Sequence, residues 1–266
     1  MTGDYEIAGE SFLHPRSRLG RARKRFVSLG EEVKDYANAA RQLDRRFDAA
    51  SGWTSYDLRG RRRPPKPLTE GAGAVCEDLR GALDALIGAL KATQKQDSDP
   101  PRFPICLTSE EYLGEGAERG KRHLLSDLRP ADLAMVDSLQ PYHRVKPQDD
   151  SLARLQALFE SHTKGELKSV LILGDAAEAD FEELERGSVR GAETYPCRGG
   201  VEAEDGLEVL RYRVSPDPAA RLKVDIRLRF DLRFDPPRLT MNDLDRIRAR
   251  VEEIVGGFDS RLPAAA

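Results

Sequence analysis

Apolar residues near the start of the chain recur at alternating intervals of three and four. Leu19, Ala22, Phe26, Leu29, Val33, Tyr36, Ala40, Leu43 and Phe47 form one narrow seam, the spacing of a helix with a single apolar stripe. The pattern predicts a long helix from about Arg16 to Ala50. Such a stripe serves either a coiled-coil or dimer interface or one arm of an intramolecular antiparallel pair. A second helical pattern follows Gly52 and three prolines, with Thr69 as its N-cap and Thr93 near its end. Its apolar side carries Ala72, Cys76, Leu79, Leu83, Leu86 and Leu90. Gly71, Gly73, Gly81 and Gly88 lie in or beside it. Each interior glycine costs about 1 kcal/mol relative to alanine, and close approach to a neighbour offsets that. The two helices are therefore expected to pack antiparallel and close.

Between them, "WTSYDL" is rich in β-formers and reads as a short strand. Beyond them the period shifts several times. Pro130 opens a short helix to about Leu139, closed by "QPY". Asp149 and Asp150 precede another helix carrying Leu152, Leu155, Leu158, Phe159 and His162, and "KSVLILG" reads as a strand. Residues 175–200 are acidic and show no clear period. "GLEVLRYRV" reads as a strand, and "KVDIRLRFDLRF" alternates strictly, with Val224, Ile226, Leu228, Phe230, Leu232 and Phe234 on one face. The other face interleaves Arg227, Arg229 and Arg233 with Asp225, Asp231 and Asp235. Interleaved signs predict a solvated, self-paired face over a basic ladder for RNA. Thr240 and Asp243 form a capping-box start to a last helix with Leu244, Ile247, Val251, Ile254 and Phe258 on one side and Gly256 and Gly257 at its end.

These elements predict an α+β fold: an N-terminal helical bundle with a long antiparallel helix pair, then a small antiparallel sheet and a C-terminal helix. The expected divisions are a flexible tail over 1–15, the bundle over 16–167, strands and last helix packed on the bundle over 168–260, and a disordered tail over 261–266.

Composition narrows the class. Of 266 residues, 39% are hydrophobic and 33% charged, which predicts a soluble chain. No apolar run reaches the roughly 20 residues needed to span a bilayer, so no membrane contact is expected. The opening "MTGDYEIAGE" lacks the apolar stretch of a secretory signal. Cys76, Cys106 and Cys197 are odd in number and widely spaced, neither a zinc pattern nor a disulfide framework. A cytoplasmic location is the simplest expectation.

The net charge of −3 gives no global attraction to nucleic acid. Two local basic runs stand out: Arg21, Arg23, Lys24 and Arg25 in the first, and Arg61, Arg62 and Arg63 in the second. They read either as solvated charge or as two separate weak polyanion contacts. No P-loop, GxGxxG, GxSxG or HExxH is present, and the four histidines make no metal constellation by spacing. No cofactor or metal is expected.

"LRGALDAL" (Leu79 to Leu86), "FPI" (Phe103 to Ile105), "LQPY" (Leu139 to Tyr142) and "SHTKGELKSVLIL" occur in that order. In this the chain resembles a family of uncharacterised bacterial proteins with motifs of the form LRxALDHL, FPI, LQPY and DKHR. The family's RxxxxH spacing is itself similar to that of HEPN-type helical ribonucleases. There a histidine moves a proton and an arginine stabilises a charged phosphorane, often across a dimer interface. Arg80 matches, but Ala85 stands at the histidine position. "TKGE", Thr163 to Glu166, replaces the DKHR cluster, with Lys164 the only matching residue.

Arg80 and Asp84 then have two readings. They form an i,i+4 pair that fixes helix packing, or they survive from a ligand pocket completed by Tyr142 and Lys164. The leading functional expectation is a non-catalytic binding or interaction protein, with a protein partner or a homodimer. The alternatives are a degenerate HEPN-like RNA-processing or RNA-binding protein and a small-molecule sensor with a pocket between bundle and sheet.

Overall fold

The computed structural model describes residues 14–59, 63–92, 100–114, 120–174, 178–183, 192–196, 200–214 and 222–262. The fold is α+β, as expected. In chain order the elements are α1 (Pro15–Ala39), β1 (Leu43–Asp48), β2 (Trp53–Leu58), α2 (Lys66–Ala92), α3 (Ser109–Leu113), α4 (Pro130–Ser138) and α5 (Ser151–Thr163). Then come β3 (Lys168–Leu173), β4 (Glu178–Glu183), β5 (Ala192–Pro196), β6 (Glu208–Val214), β7 (Leu222–Arg227), β8 (Phe230–Asp235), β9 (Leu239–Thr240) and α6 (Met241–Gly257).

The chain forms two compact units. One comprises residues 1–29, 69–168 and 235–266, the other residues 30–68 and 169–234. The units interleave along the chain, unlike the consecutive 16–167 and 168–260 division. Residues 30–68 join the strands and residues 235–266 join the helices.

In the helical unit α2 is central. Ala72, Val75, Cys76, Leu79, Ala82, Leu83, Leu86, Ile87 and Leu90 along it are buried, so its apolar surface wraps well beyond the single stripe read from the sequence. Each such leucine contributes about 1.5–3 kcal/mol by leaving water. The direction of α1 against it follows from four contacts. Leu29 meets Gly71, Arg25 reaches the Ala74 carbonyl and Asp78, Arg21 reaches Asp78, and Arg18 covers Gly81. Rising numbers on α2 meet falling numbers on α1, so the helices run antiparallel. The glycines of α2 admit neighbours. A Cβ at Gly73 would lie 2.2 Å from the His162 ring, and one at Gly81 2.3 Å from the Arg18 guanidinium.

α5 begins at its N-cap Asp150, whose side chain accepts from the Leu152 N–H at 2.8 Å. α6 begins with the expected capping box of Thr240 and Asp243. Its apolar face, Leu244, Ile247, Val251 and Ile254 with Phe258 beyond its end, is buried. Arginines cross-link this unit: Arg154 to Asp243 at 2.9 Å, Arg23 to Glu252 at 3.1 Å, and Arg261 with Arg129 to the fully buried Asp132 at 2.6 and 2.7 Å.

The second unit holds an antiparallel sheet in the order β1-β2-β6-β5, a β4–β7 pair, and β3 beside β8. Its core is Leu58, Leu173, Val209, Leu210 and Leu228, with Leu43, Tyr56, Val224, Ile226 and Phe230 packed around it.

Two expectations are corrected here. The first helix ends at Ala39, not Ala50, and residues 43–48 form β1. Leu43 and Phe47 fit the helical period, but they also lie on one side of a strand, two pleats apart. Six consecutive register pairs with the β-forming "WTSYDL" strand outweigh the helical continuation. The "KVDIRLRFDLRF" segment is two strands, not one. It breaks after Arg227, so that β7 pairs with β4 while β8 lies beside β3. Its arginines find carboxylates elsewhere in the unit: Arg227 with Asp180, Arg229 with Glu178 and Arg233 with Glu202.

Of the expected tails, residues 1–13 and 263–266 lie outside the described residues, while two described parts are ordered instead: Pro15 opens α1, and Arg261 closes a short 3-10 turn held by its bridge to Asp132.

Candidate functional site

Phe103 sits in an extended segment without a strand partner and is fully buried. A buried backbone outside a ladder must find side-chain partners for its polar groups. Arg80 and Asp84 supply them. Arg80 Nη2 donates to the Phe103 carbonyl at 2.6 Å, and the Phe103 N–H donates to Asp84 Oδ1 at 2.8 Å. The two side chains also pair directly at 3.1 Å. One turn of α2 thus holds both polar groups of a single residue in the "FPI" segment. Burial pushes the Asp84 carboxyl above its ordinary pKa against the opposing pull of Arg80, and burial likewise lowers that of Arg80 against the pull of Asp84. The guanidinium stays charged, as arginine does in proteins.

Tyr142 has different surroundings. Its hydroxyl donates to Asp137 Oδ1, and its ring lies 5.7 Å from that of Tyr112 and 4.1 Å from that of His143. His143 Nε2 is 3.5 Å from the same carboxylate oxygen. Burial raises the hydroxyl pKa of Tyr142, with the Asp137 contact adding to it, and pushes that of Tyr112 up to about 12. Burial also pushes the Cys106 thiol up to about 11 and raises that of Cys76. Tyr112, Tyr142 and His143 form a packed aromatic cluster, while Cys76 lies elsewhere, its Sγ donating to the Leu155 carbonyl at 3.5 Å.

Lys164 is exposed at the C-cap of α5, where its N–H donates to the Glu160 carbonyl. No described contact joins Lys164 or Tyr142 to Arg80 and Asp84, so the four candidates fall into three separate places. Asp137, Tyr112 and His143 were not singled out in the sequence. For Asp137 and His143 the "DSLQPYH" run was the signal, because it places an aspartate five residues before a tyrosine across a proline turn; Tyr112, 25 residues before Asp137, had none.

The arginines of the first basic run are paired with two carboxylates from other helices. Arg21 and Arg25 both reach Asp78, each at 2.9 Å, and Arg23 reaches Glu252. Lys24 and Arg63 are exposed, while Arg61 and Arg62 lie outside the described residues. The sheet unit carries an aromatic–cation arrangement that the sequence reading did not isolate. Trp53 on β2 has the Arg211 and Arg213 guanidiniums of β6 at 5.1 and 5.3 Å from its ring centroid. The alternation Arg211-Tyr212-Arg213 in a strand was the available signal.

Among the described residues no group of three or more His, Cys, Asp or Glu side chains is placed to hold a metal ion, and no helix is long and apolar enough to cross a membrane. Comparison with protein-family profiles, with curated proteins and with solved structures finds no match to this chain.

Proposed function

We propose that this chain is a non-catalytic binding or interaction protein, in which the Arg80–Asp84 turn serves the fold. The observation that carries this reading is the double hold on Phe103. The arginine that the HEPN-like comparison would assign to a phosphorane donates to a backbone carbonyl at 2.6 Å. Its carboxylate neighbour accepts from the N–H of that same residue. A guanidinium locked in this way has its charge neutralised beside it and its geometry fixed by buried backbone. Proton transfer in such a reaction needs a group titrating near neutrality, and position 85, one residue past Asp84, is alanine.

The experiment is a paired assay on the full chain. Purified protein is incubated with structured and single-stranded RNA, and tagged protein is recovered from its native host after crosslinking, with copurifying proteins and RNA identified. Intact RNA together with a stoichiometric partner is the expected result. Cleavage that Arg80→Ala abolishes would overturn the reading.

A further inference from the structure

β1 is one margin of the four-stranded sheet. Its pairing with β2 fixes where each backbone group points. The Arg59 N–H donates to the Gln42 carbonyl at 2.9 Å, and the antiparallel register places Leu43 opposite Leu58. Gln42 and Arg59 are therefore a hydrogen-bonded pair. Such pairs alternate along an antiparallel ladder, so Asp44, Arg46 and Asp48 direct their backbone groups toward β2. Leu43, Arg45 and Phe47 direct theirs outward. Leu58 gives an independent check. It donates to the Leu207 carbonyl and accepts from the Gly206 N–H, leaving neither group for Leu43.

Among the described residues no strand pairs with the outward side of β1. Asp44 to Asp48 are all exposed, and Phe47, a large apolar side chain, is 63% exposed. Edge strands are usually blunted by charged side chains, lysine above all, by proline or by a bulge, and β1 carries charge at Asp44, Arg45, Arg46 and Asp48; self-pairing therefore requires those charges to be matched across the joint. β1 has no proline or lysine, and its register runs unbroken over six pairs.

We propose that β1 pairs antiparallel with β1 of a second copy of this chain, about a two-fold axis through Arg45. Only registers that set outward residues opposite outward residues form hydrogen bonds, and their side chains choose among them. An axis at Arg46 opposes Asp44 to Asp48, and an axis at Asp44 opposes that carboxylate to itself. An axis at Phe47 runs the ladder into the turn after Asp48. The axis at Arg45 places Asp44 opposite the second copy's Arg46 and Leu43 opposite its Phe47, each twice by symmetry.

Within the chain Arg46 pairs with Asp57 at 3.0 Å and Asp44 with Arg59 at 3.6 Å; the axis at Arg45 extends these pairs into a network of alternating sign on one face of the joined sheet. On the other, exposed Phe47 covers Leu43, which already packs on the sheet core. Arg45 meets itself, the one unfavourable pair; its guanidinium turns toward the Tyr212 hydroxyl, 3.5 Å away. About six backbone hydrogen bonds form across the axis.

The inference goes beyond the functional reading and stands without it: RNA cleavage bears on that reading alone, and the oligomer on this one. The test is sedimentation of the full chain across a concentration series, with Phe47→Glu and Arg45→Pro alongside. The proline removes an outward N–H and no bond to β2, and thermal melting verifies that both variants fold.

Site-directed oxidation supplies a second, register-specific readout. Residues opposite themselves at a hydrogen-bonded pair have Cα atoms about 5.5 Å apart, within disulfide reach. Arg45→Cys is expected to crosslink to a covalent dimer, while Asp44→Cys and Asp48→Cys stay at the wild-type background. The expected result is a reversible wild-type dimer, lost in both edge variants, with crosslinking confined to position 45. A monomer throughout, a dimer indifferent to Phe47→Glu, or equal crosslinking at all three positions would overturn the proposal.

Discussion

The backbone N–H of Phe103 donates to the carboxylate of Asp84 at 2.8 Å across 19 residues of chain. Arg80, one turn earlier, closes the hold from the carbonyl side. This small arrangement decides how the most suggestive polar residues of α2 are read, and it makes the functional account testable through stability.

The glycines of α1 and α2 should separate by what surrounds them. A Cβ at Gly20 or Gly30 meets nothing within 4 Å. Gly20→Ala in α1 is therefore expected to stabilise by about 0.5–1 kcal/mol. Gly81→Leu has to displace the Arg18 side chain between two packed helices and is expected to destabilise by roughly 1–3 kcal/mol. Chemical denaturation of both variants checks the contrast; equal effects would remove the packing argument.

Asp132 should shape the acid limb of stability. Burial alone would raise its pKa, but the guanidiniums of Arg261 and Arg129 outweigh that and hold it below the ordinary 3.8. A carboxyl depressed in the folded state contributes stability that is complete above its unfolded value and is lost as pH falls through its folded one. Asp132→Asn should cost about 1–3 kcal/mol at neutral pH. It should also flatten the decline in stability below about pH 4. Melting curves across that range suffice, and an unchanged slope would count against the assignment.

The first basic run should bind polyanions poorly because its arginines are paired. Retention of wild-type protein on RNA or DNA is expected only at low salt, falling steeply as salt rises. Asp78→Asn removes the carboxylate shared by Arg21 and Arg25, so retention at low salt should increase. Tight wild-type binding at physiological salt would contradict this.

The sequence carried much of the helical unit. The capping box of Thr240 and Asp243, the apolar face of α6 and the closeness implied by the glycines of α2 are local signals, and local chemistry decides them. Residues 43–48 were misread because Leu43 and Phe47 satisfy two periods at once, and only the presence of β2 selects the strand. The break after Arg227 was hidden for a similar reason: strict alternation fits one strand or two, and the choice depends on which neighbours pair with each half. At the candidate site, Arg80 and Asp84 were legible as partners one turn apart. Their common target was not, because a bond to the backbone of Phe103 leaves no mark in residue type.

The most direct test of the account is amide hydrogen exchange at Phe103 in Asp84→Ala, read together with the thermal midpoint. If Arg80 and Asp84 serve the fold, the variant loses protection around residues 102–106 and melts several degrees lower, with a loss of about 1–3 kcal/mol for the orphaned buried N–H. Unchanged protection and an unchanged midpoint would show that the pair is free of structural duty, and the non-catalytic reading built on it would fall.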